Sequence, residues 1–218
     1  MTLPNFRVLI VLYATGVFAI PAHAEELRVS VQDTSGKPLP DAIVLAVPEN
    51  GKKQDVPPVS ETIDQIDKEF VPHVKPVHLG TPVSFPNKDN IRHHVYSFSP
   101  AKTFELPLYK GTPSKPVVFD KKGVVKLGCN IHDWMLAYVY VTDAPYFGTT
   151  DANGRARLDG LAPGIYTVWV WHPQMNGSQS DTTRKIELRG TQNQVWKLDL
   201  RPGFRPPRAS VPGGAEYR

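Results

Sequence analysis

Residues 129–135 read Cys129-Asn130-Ile131-His132-Asp133-Trp134-Met135 and contain the only cysteine of this 218-residue chain. Cys129, His132 and Met135 are spaced as C-x2-H-x2-M. Thiolate, imidazole and thioether are together the ligands of a mononuclear copper site with two histidines, one cysteine and a weak, distant methionine. The upstream pair His93-His94 offers the second histidine. The stretch therefore predicts a mononuclear copper site, and at this point either histidine of the pair could complete it.

Segments with the composition of β-strands flank the loop on both sides. Residues 116–119 and 123–129 are predicted to be two strands joined by a turn at residues 120–123, and residues 136–142 a third. A loop between two strands at one end of a sheet turns its side chains back toward one point. The pattern thus predicts a β-sheet frame for the ligands.

The combination of motifs around the loop resembles the plastocyanin and amicyanin group of cupredoxins. The shared features are the C-x2-H-x2-M loop, an upstream His-x-Val strand and the Phe119-x3-Gly123-x-Val125 approach to the cysteine. The whole run from Phe85 to Phe147 is similar to periplasmic plastocyanin-like proteins of the methylamine utilization type. This resemblance implies an all-β fold containing a Greek-key cupredoxin β-sandwich.

The resemblance also implies a type 1 copper centre with the ligands His93, Cys129, His132 and Met135. In the family pattern the first ligand begins a His-Asn-Val triplet, which aligns with residues 93–95 and gives the ligand role to His93. Strand alternation places His93 and His94 on opposite faces, and His94 shares its face with two aromatic residues, so His94 stays an alternative.

The two ends of the chain are typical of a second β-sandwich. Residues 27–31 and 42–47 are predicted to form a hairpin, and Asn153-Gly154 is a turn signal between later strands. These segments resemble small carboxypeptidase-regulatory-like (prealbumin-like) modules. We expect residues 25–50 and 147–201 to form this sandwich, with a cupredoxin domain at 59–146 inserted in one of its loops. The alternative is that residues 27–47 join the sheet of the copper domain.

The N-terminal residues are typical of a signal peptide. Arg7 precedes an apolar run at residues 8–20, and Ala22-His23-Ala24 is a cleavage pattern. Residues 1–24 are therefore expected to be removed on export to the periplasm, and no later segment is apolar for long enough to stay in the membrane. A lone thiol has no disulfide partner in that oxidising compartment, and metal ligation would explain its presence. Residues 202–218 are rich in proline, glycine and arginine and are predicted to be disordered.

Composition and spacing argue against several other classes of function. The formal net charge is only +4, with no basic stripe that would indicate nucleic-acid binding. A single cysteine excludes a binuclear copper site. A catalytic pair of Cys129 and His132 would leave Met135 without a role, so we expect no enzyme. A zinc site that uses His93, His94, Cys129 and His132 is a further alternative, although zinc has no use for thioether.

The resemblance implies a periplasmic carrier of single electrons. Its partner would be a transient redox protein, such as a c-type cytochrome or a periplasmic dehydrogenase. The partner would dock on an apolar ring of Trp134, Leu136 and Phe147 around His132. One alternative is a copper-binding module for metal handling or delivery without electron transfer. Another is an interaction module whose second sandwich binds a partner or a glycan.

Overall fold

The computed structural model describes residues 25–50, 56–113 and 115–202, and within them nearly all regular structure is β-strand. The predicted all-β fold class is confirmed. The predicted signal peptide at residues 1–24 lies outside the described residues, as does all but the first residue of the predicted tail at 202–218.

In chain order the elements are β1 (Glu25–Asp33), β2 (Ile43–Pro48), β3 (Glu61–Thr62), β4 (Asp64–Ile66), β5 (Glu69–Val71), β6 (Val74–His78), β7 (Thr81–Ser84), β8 (His93–Ser99), β9 (Lys102–Tyr109), β10 (Val117–Phe119), β11 (Gly123–Cys129), β12 (His132–Thr142), β13 (Tyr146–Thr149), β14 (Arg155–Leu161), β15 (Gly164–Trp171), α1 (Gln179–Thr182), β16 (Arg184–Leu188) and β17 (Gln192–Leu198). The strands fall into two main groups, one formed by β3 and β6–β12 and the other by strands from both ends of the described chain. In the ranges described, no helix has the length and apolar character needed to cross a membrane.

The segment that carries the predicted ligands forms two sheets around one core. The larger sheet has five strands in the order β6-β12-β11-β8-β9, and the smaller has three in the order β10-β7-β3. Side chains alternate along β11 and β12, so Val125 and Leu127 are buried opposite their cross-strand partners Val139 and Ala137. Phe119 of the smaller sheet completes this core. The predicted strands before the cysteine are therefore present, but β10 and β11 lie in different sheets.

The two ends of the chain come together in a second pair of sheets. One has the order β14-β1-β17 and the other β13-β2-β15-β16. In the described residues β1 and β2 pair only with strands from residue 146 onward. Alternate residues of β1 are buried in a core with Val44, Val168 and Trp196. The domain boundaries stay a prediction, but this pairing gives the first two strands no place in the five-stranded sheet.

The predicted hairpin of residues 27–31 and 42–47 is wrong. The chain turns back at Asp33, makes a single bridge between Gln32 and Pro38, and then crosses to the opposite sheet. Each strand has an apolar face and needs a cover, and the two strands cover one another across the core instead of pairing edge to edge. Asn153-Gly154 does form a turn, but that turn also joins strands of different sheets.

A third apolar cluster joins the two halves of the molecule. Ile43, Leu45 and Trp169, from β2 and β15, pack against the outer face of β6 and β12. On that face Trp169 Nε1 donates a hydrogen bond of 3.4 Å to the hydroxyl of Tyr140. The second pair of sheets therefore covers the outer face of β6 and β12, two of the five strands of the larger sheet.

Residues 63–74, for which the sequence fits either a helical turn or an edge strand, form the small antiparallel hairpin β4-β5. Its turn is made by Asp67 and Lys68, both in the left-handed region with φ of 54° and 60°. Such a conformation costs about 1–2 kcal/mol for a residue with a side chain. The turn is stabilised by Asp89, whose carboxylate accepts hydrogen bonds from the backbone N–H groups of both residues.

The turn at Gly154 allows a test of the second pair of sheets. Gly154 has φ of +69°, and an added Cβ would lie 2.5 Å from the carbonyl oxygen of Val31. We expect Gly154→Ala to lower the free energy of unfolding by roughly 3 kcal/mol, from left-handed strain and backbone overlap. Gly160, with φ of +72° and open space around it, is the matched control. For Gly160→Ala we expect a loss of about 1 kcal/mol. Urea denaturation monitored by circular dichroism measures both, and equal losses would contradict the close approach at Gly154.

Candidate metal centre

The ligand loop is a two-residue connection between β11 and β12. Cys129 ends β11 and His132 begins β12, and the two are paired across the strands after a bulge at Gly128. On the other side of β11, Cys129 is paired with Val95 of β8. Val95 and His93 share the buried face of β8. The pairing of three strands therefore brings Cys129, His132 and His93 to the same end of the sheet.

Three potential ligand atoms converge at this end. Cys129 Sγ lies 3.8 Å from Nδ1 of His93 and 3.8 Å from Nδ1 of His132. All three atoms lie within 4.8 Å of one another. Cys129 and His93 are buried, whereas His132 is only half-buried. His132 is therefore the least buried of the three residues.

The separations are compatible with a metal ion held between the ligand atoms. A metal about 2.3 Å from sulfur and 2.0–2.1 Å from nitrogen, at an angle near 115°, separates the two ligands by roughly 3.7 Å. Both observed sulfur–nitrogen distances are 3.8 Å. The donor set and its spacing therefore fit a metal site.

The surroundings of the two histidine rings also suit metal binding. Burial lowers the pKa of His132, and the neighbouring His93 lowers it further, so the neutral ring is favoured. Nε2 of His93 lies 2.6 Å from the carboxylate of Asp89. A neutral His93 ring that donates from Nε2 to this carboxylate has Nδ1 as an acceptor, and Nδ1 faces Cys129. Both rings therefore present Nδ1 to the thiol.

His94 lies apart from this cluster. It projects from the other face of β8. There the ring centroids of His94 and Tyr96 are 5.9 Å apart, and Nε2 of His94 lies 3.0 Å from Oε1 of Glu105. The structure thus places His93, and not His94, beside Cys129. This is the arrangement that strand alternation requires once Val95 is buried.

Met135 is buried in the same apolar cluster as Cys129, and the two residues line a common cavity. Its role as axial ligand stays a prediction. The other methionine considered as a rival, Met175, belongs to the core of the second pair of sheets. Of the two methionines in the described residues, Met135 is therefore the one that shares a core with Cys129.

The predicted ring of apolar residues around His132 is present only in part. Trp134 lies beside His132, with ring centroids 5.0 Å apart. Phe147 instead packs on His78, which is paired with Thr142 at the opposite end of β12. The inclusion of Phe147 in the ring was therefore wrong, because the chain leaves β12 at its far end before it reaches this residue.

Two features of the site were missed by the sequence analysis. Asp89 lies in a loop and contacts His93. The only signal for it in the sequence was an acidic residue four positions before a predicted ligand histidine. Gly128, just before the cysteine, accommodates the ring of Tyr96, since an added Cβ would lie 2.8 Å from that ring. No spacing rule predicts this contact between neighbouring strands.

Comparison with known proteins gave matches among solved structures only. No protein-family model and no curated protein matches the chain. A copper-containing nitrite reductase from Thermus scotoductus SA-01 matches 44% of this chain at 23% identity and a TM-score of 0.37. This chain thus spans only 25% of the reductase.

Two smaller proteins are matched over almost their full length. A purple cupredoxin from Nitrosopumilus maritimus is covered over 99% of its chain and matches 38% of this one, at 23% identity and a TM-score of 0.34. A variant of amicyanin in its reduced Cu(I) form is covered over 98% and matches 44% of this chain, at 17% identity and a TM-score of 0.35. With TM-scores below 0.5, these likenesses do not determine what this chain binds.

Separate substitution of the two neighbouring histidines tests the site. We expect His93→Ala to weaken copper binding by more than roughly 100-fold, beyond the 10–100-fold typical of residues outside the ligand set. His94→Ala is the matched control and should bind copper as the parent does, because its ring projects to the other face. Titration of the metal-free proteins with copper measures both affinities. The opposite ranking would move the ligand by one residue and reverse the faces of β8.

Proposed function

We propose that this chain is a periplasmic type 1 copper protein that carries single electrons between redox partners. The observation that carries the proposal is the convergence of Cys129, His93 and His132 at 3.8 Å sulfur–nitrogen distances. The donor set is one thiolate and two imidazoles, with a buried thioether in the same cluster. That set suits copper, whereas zinc sites use thiolate, imidazole and carboxylate without thioether.

The proposed roles follow from the chemistry and position of each side chain. Bound copper would supply a one-electron couple between Cu(II) and Cu(I). Cys129 provides the strong thiolate bond, His93 and His132 complete the plane, and Met135 is the weak axial group that adjusts the potential. Three paired strands hold the first three residues, so the ligands need little movement when the charge of the site changes.

The proposed docking surface lies on the side of His132. His132 is the half-buried member of the cluster, and the rings of His132 and Trp134 are in contact there. A transient redox protein, such as a c-type cytochrome or a periplasmic dehydrogenase, would receive or donate electrons through this side. We propose that the chain carries electrons and has no substrate of its own. The periplasmic location and the finer kinship to methylamine utilization proteins rest on the sequence patterns.

Substitution of the thiolate tests the central proposal. We expect the copper-loaded parent to show an intense visible absorption from sulfur-to-copper charge transfer and reversible reduction. Cys129→Ser should lose that absorption, since serine offers no thiolate. Optical and electron paramagnetic resonance spectra of both proteins measure this, with Asp133→Asn, next to His132, as a control. A colourless parent that holds only Cu(I) would overturn electron transfer in favour of copper delivery.

Substitution of Met135 tests the axial role. Met135→Gln should retain copper and colour, because the thiolate and two imidazoles carry most of the affinity. Its reduction potential should fall, because a harder oxygen ligand favours Cu(II) over Cu(I). Voltammetry compares it with the parent and with Met175→Leu, a methionine substitution in the other core. An unchanged potential and spectrum in Met135→Gln would exclude Met135 as a ligand.

A further inference from the structure

Asp89 lies directly behind the buried histidine of the cluster. Its Oδ2 is 2.6 Å from Nε2 of His93, on the side of the ring away from Cys129. The His93 side chain is fully buried, and 11% of the Asp89 side chain is exposed. A hydrogen bond to a carboxylate in such surroundings fixes the tautomer and the orientation of an imidazole.

Asp89 is itself held by a turn distant in sequence. Its Oδ1 accepts a hydrogen bond of 2.7 Å from the backbone N–H of Asp67, and its Oδ2 accepts one of 2.9 Å from that of Lys68. The carboxylate of Asp89 therefore accepts from two backbone N–H groups and also faces Nε2 of His93, a set of partners that suits a carboxylate anion. These hydrogen bonds to a charged group also offset the left-handed strain of the turn.

The same turn also contacts the residue beside the second histidine. Trp134 Nε1 donates a hydrogen bond of 3.2 Å to the carbonyl of Lys68, and its ring packs on His132. Lys68 therefore donates to Asp89 through its backbone N–H and accepts from Trp134 through its carbonyl. One turn of the β4-β5 hairpin connects to both histidines of the cluster.

From these contacts we infer that Asp89 is a positioning residue of the metal centre, which aims Nδ1 of His93 at the metal and favours the oxidised state. This inference rests on the proposed function and deepens it. A carboxylate hydrogen-bonded to a ligand histidine strengthens the ligand as a donor. Copper with one thiolate carries one positive charge when oxidised and none when reduced, so a nearby negative charge stabilises the oxidised form. Asp89 therefore lowers the reduction potential.

Three variants separate the hydrogen bond from the charge. Asp89→Ala removes both and should weaken copper binding by about 10–100-fold, as outer-shell substitutions do. Asp89→Asn keeps an acceptor oxygen and should restore most of the affinity, but should raise the reduction potential. Asp133→Asn is the matched control, because it removes an exposed carboxylate at the start of β12, next to His132. We expect its potential to shift less than that of Asp89→Asn.

The metal-free protein gives a readout that does not depend on copper chemistry. Nitrogen-15 NMR of the histidine rings should show the Nε2–H tautomer for His93 in the parent and in Asp89→Asn, and a mixture of tautomers in Asp89→Ala. Unchanged tautomer, affinity and potential in Asp89→Ala would overturn the inference. Equal shifts of the reduction potential in Asp89→Asn and Asp133→Asn would mean that Asp89 acts only as a distant charge, and this result would also overturn the inference. A parent without a type 1 spectrum would overturn the proposed function instead, since the tautomer test stands apart from it.

Discussion

The pairing of three antiparallel strands, β8, β11 and β12, is the constraint on which the metal centre depends. Cys129 is paired with Val95 on one side and with His132 on the other. A slip of one residue in β8 would place His94 at the thiol and would turn Val95 out of the core. The burial of Val95 and its neighbours therefore fixes the geometry of the ligands along with the fold.

A buried polar group without a partner costs about 1–3 kcal/mol, so the site needs support from the protein. Nε2 of His93 is satisfied by Asp89, and Asp89 is satisfied by two backbone N–H groups of the β4-β5 turn. Nε2 of His93 therefore has a hydrogen-bond partner, while Nδ1 on the other side of the ring lies 3.8 Å from Cys129 Sγ. Polar contacts on the outside and converging donors on the inside are the features of a preorganised metal site.

The loop with Cys129, His132 and Met135 could be predicted because its residues are close in sequence and their soft donors are specific in combination. Asp89 could not, since its role depends on a turn some twenty residues upstream that only tertiary packing brings near. The incorrect prediction of a β1-β2 hairpin has the same cause, because residues distant in sequence decide the pairing. Two apolar strands separated by a turn fit either one sheet or two facing sheets, and the partners that decide, β14 and β15, lie more than a hundred residues later.

The second pair of sheets contributes none of the predicted ligands, yet it packs against β12, the strand that carries His132 and Met135. On its outer face, β12 is covered by Trp169 and its neighbours, and on its inner face by the core. A strand packed on both faces resists displacement when the charge at its end changes. β8 lacks this cover, since Phe98 on its outer face is 77% exposed. At the other end of β8, His93 is in contact with Asp89, which in our proposal restrains the ring independently of the cover over the strand.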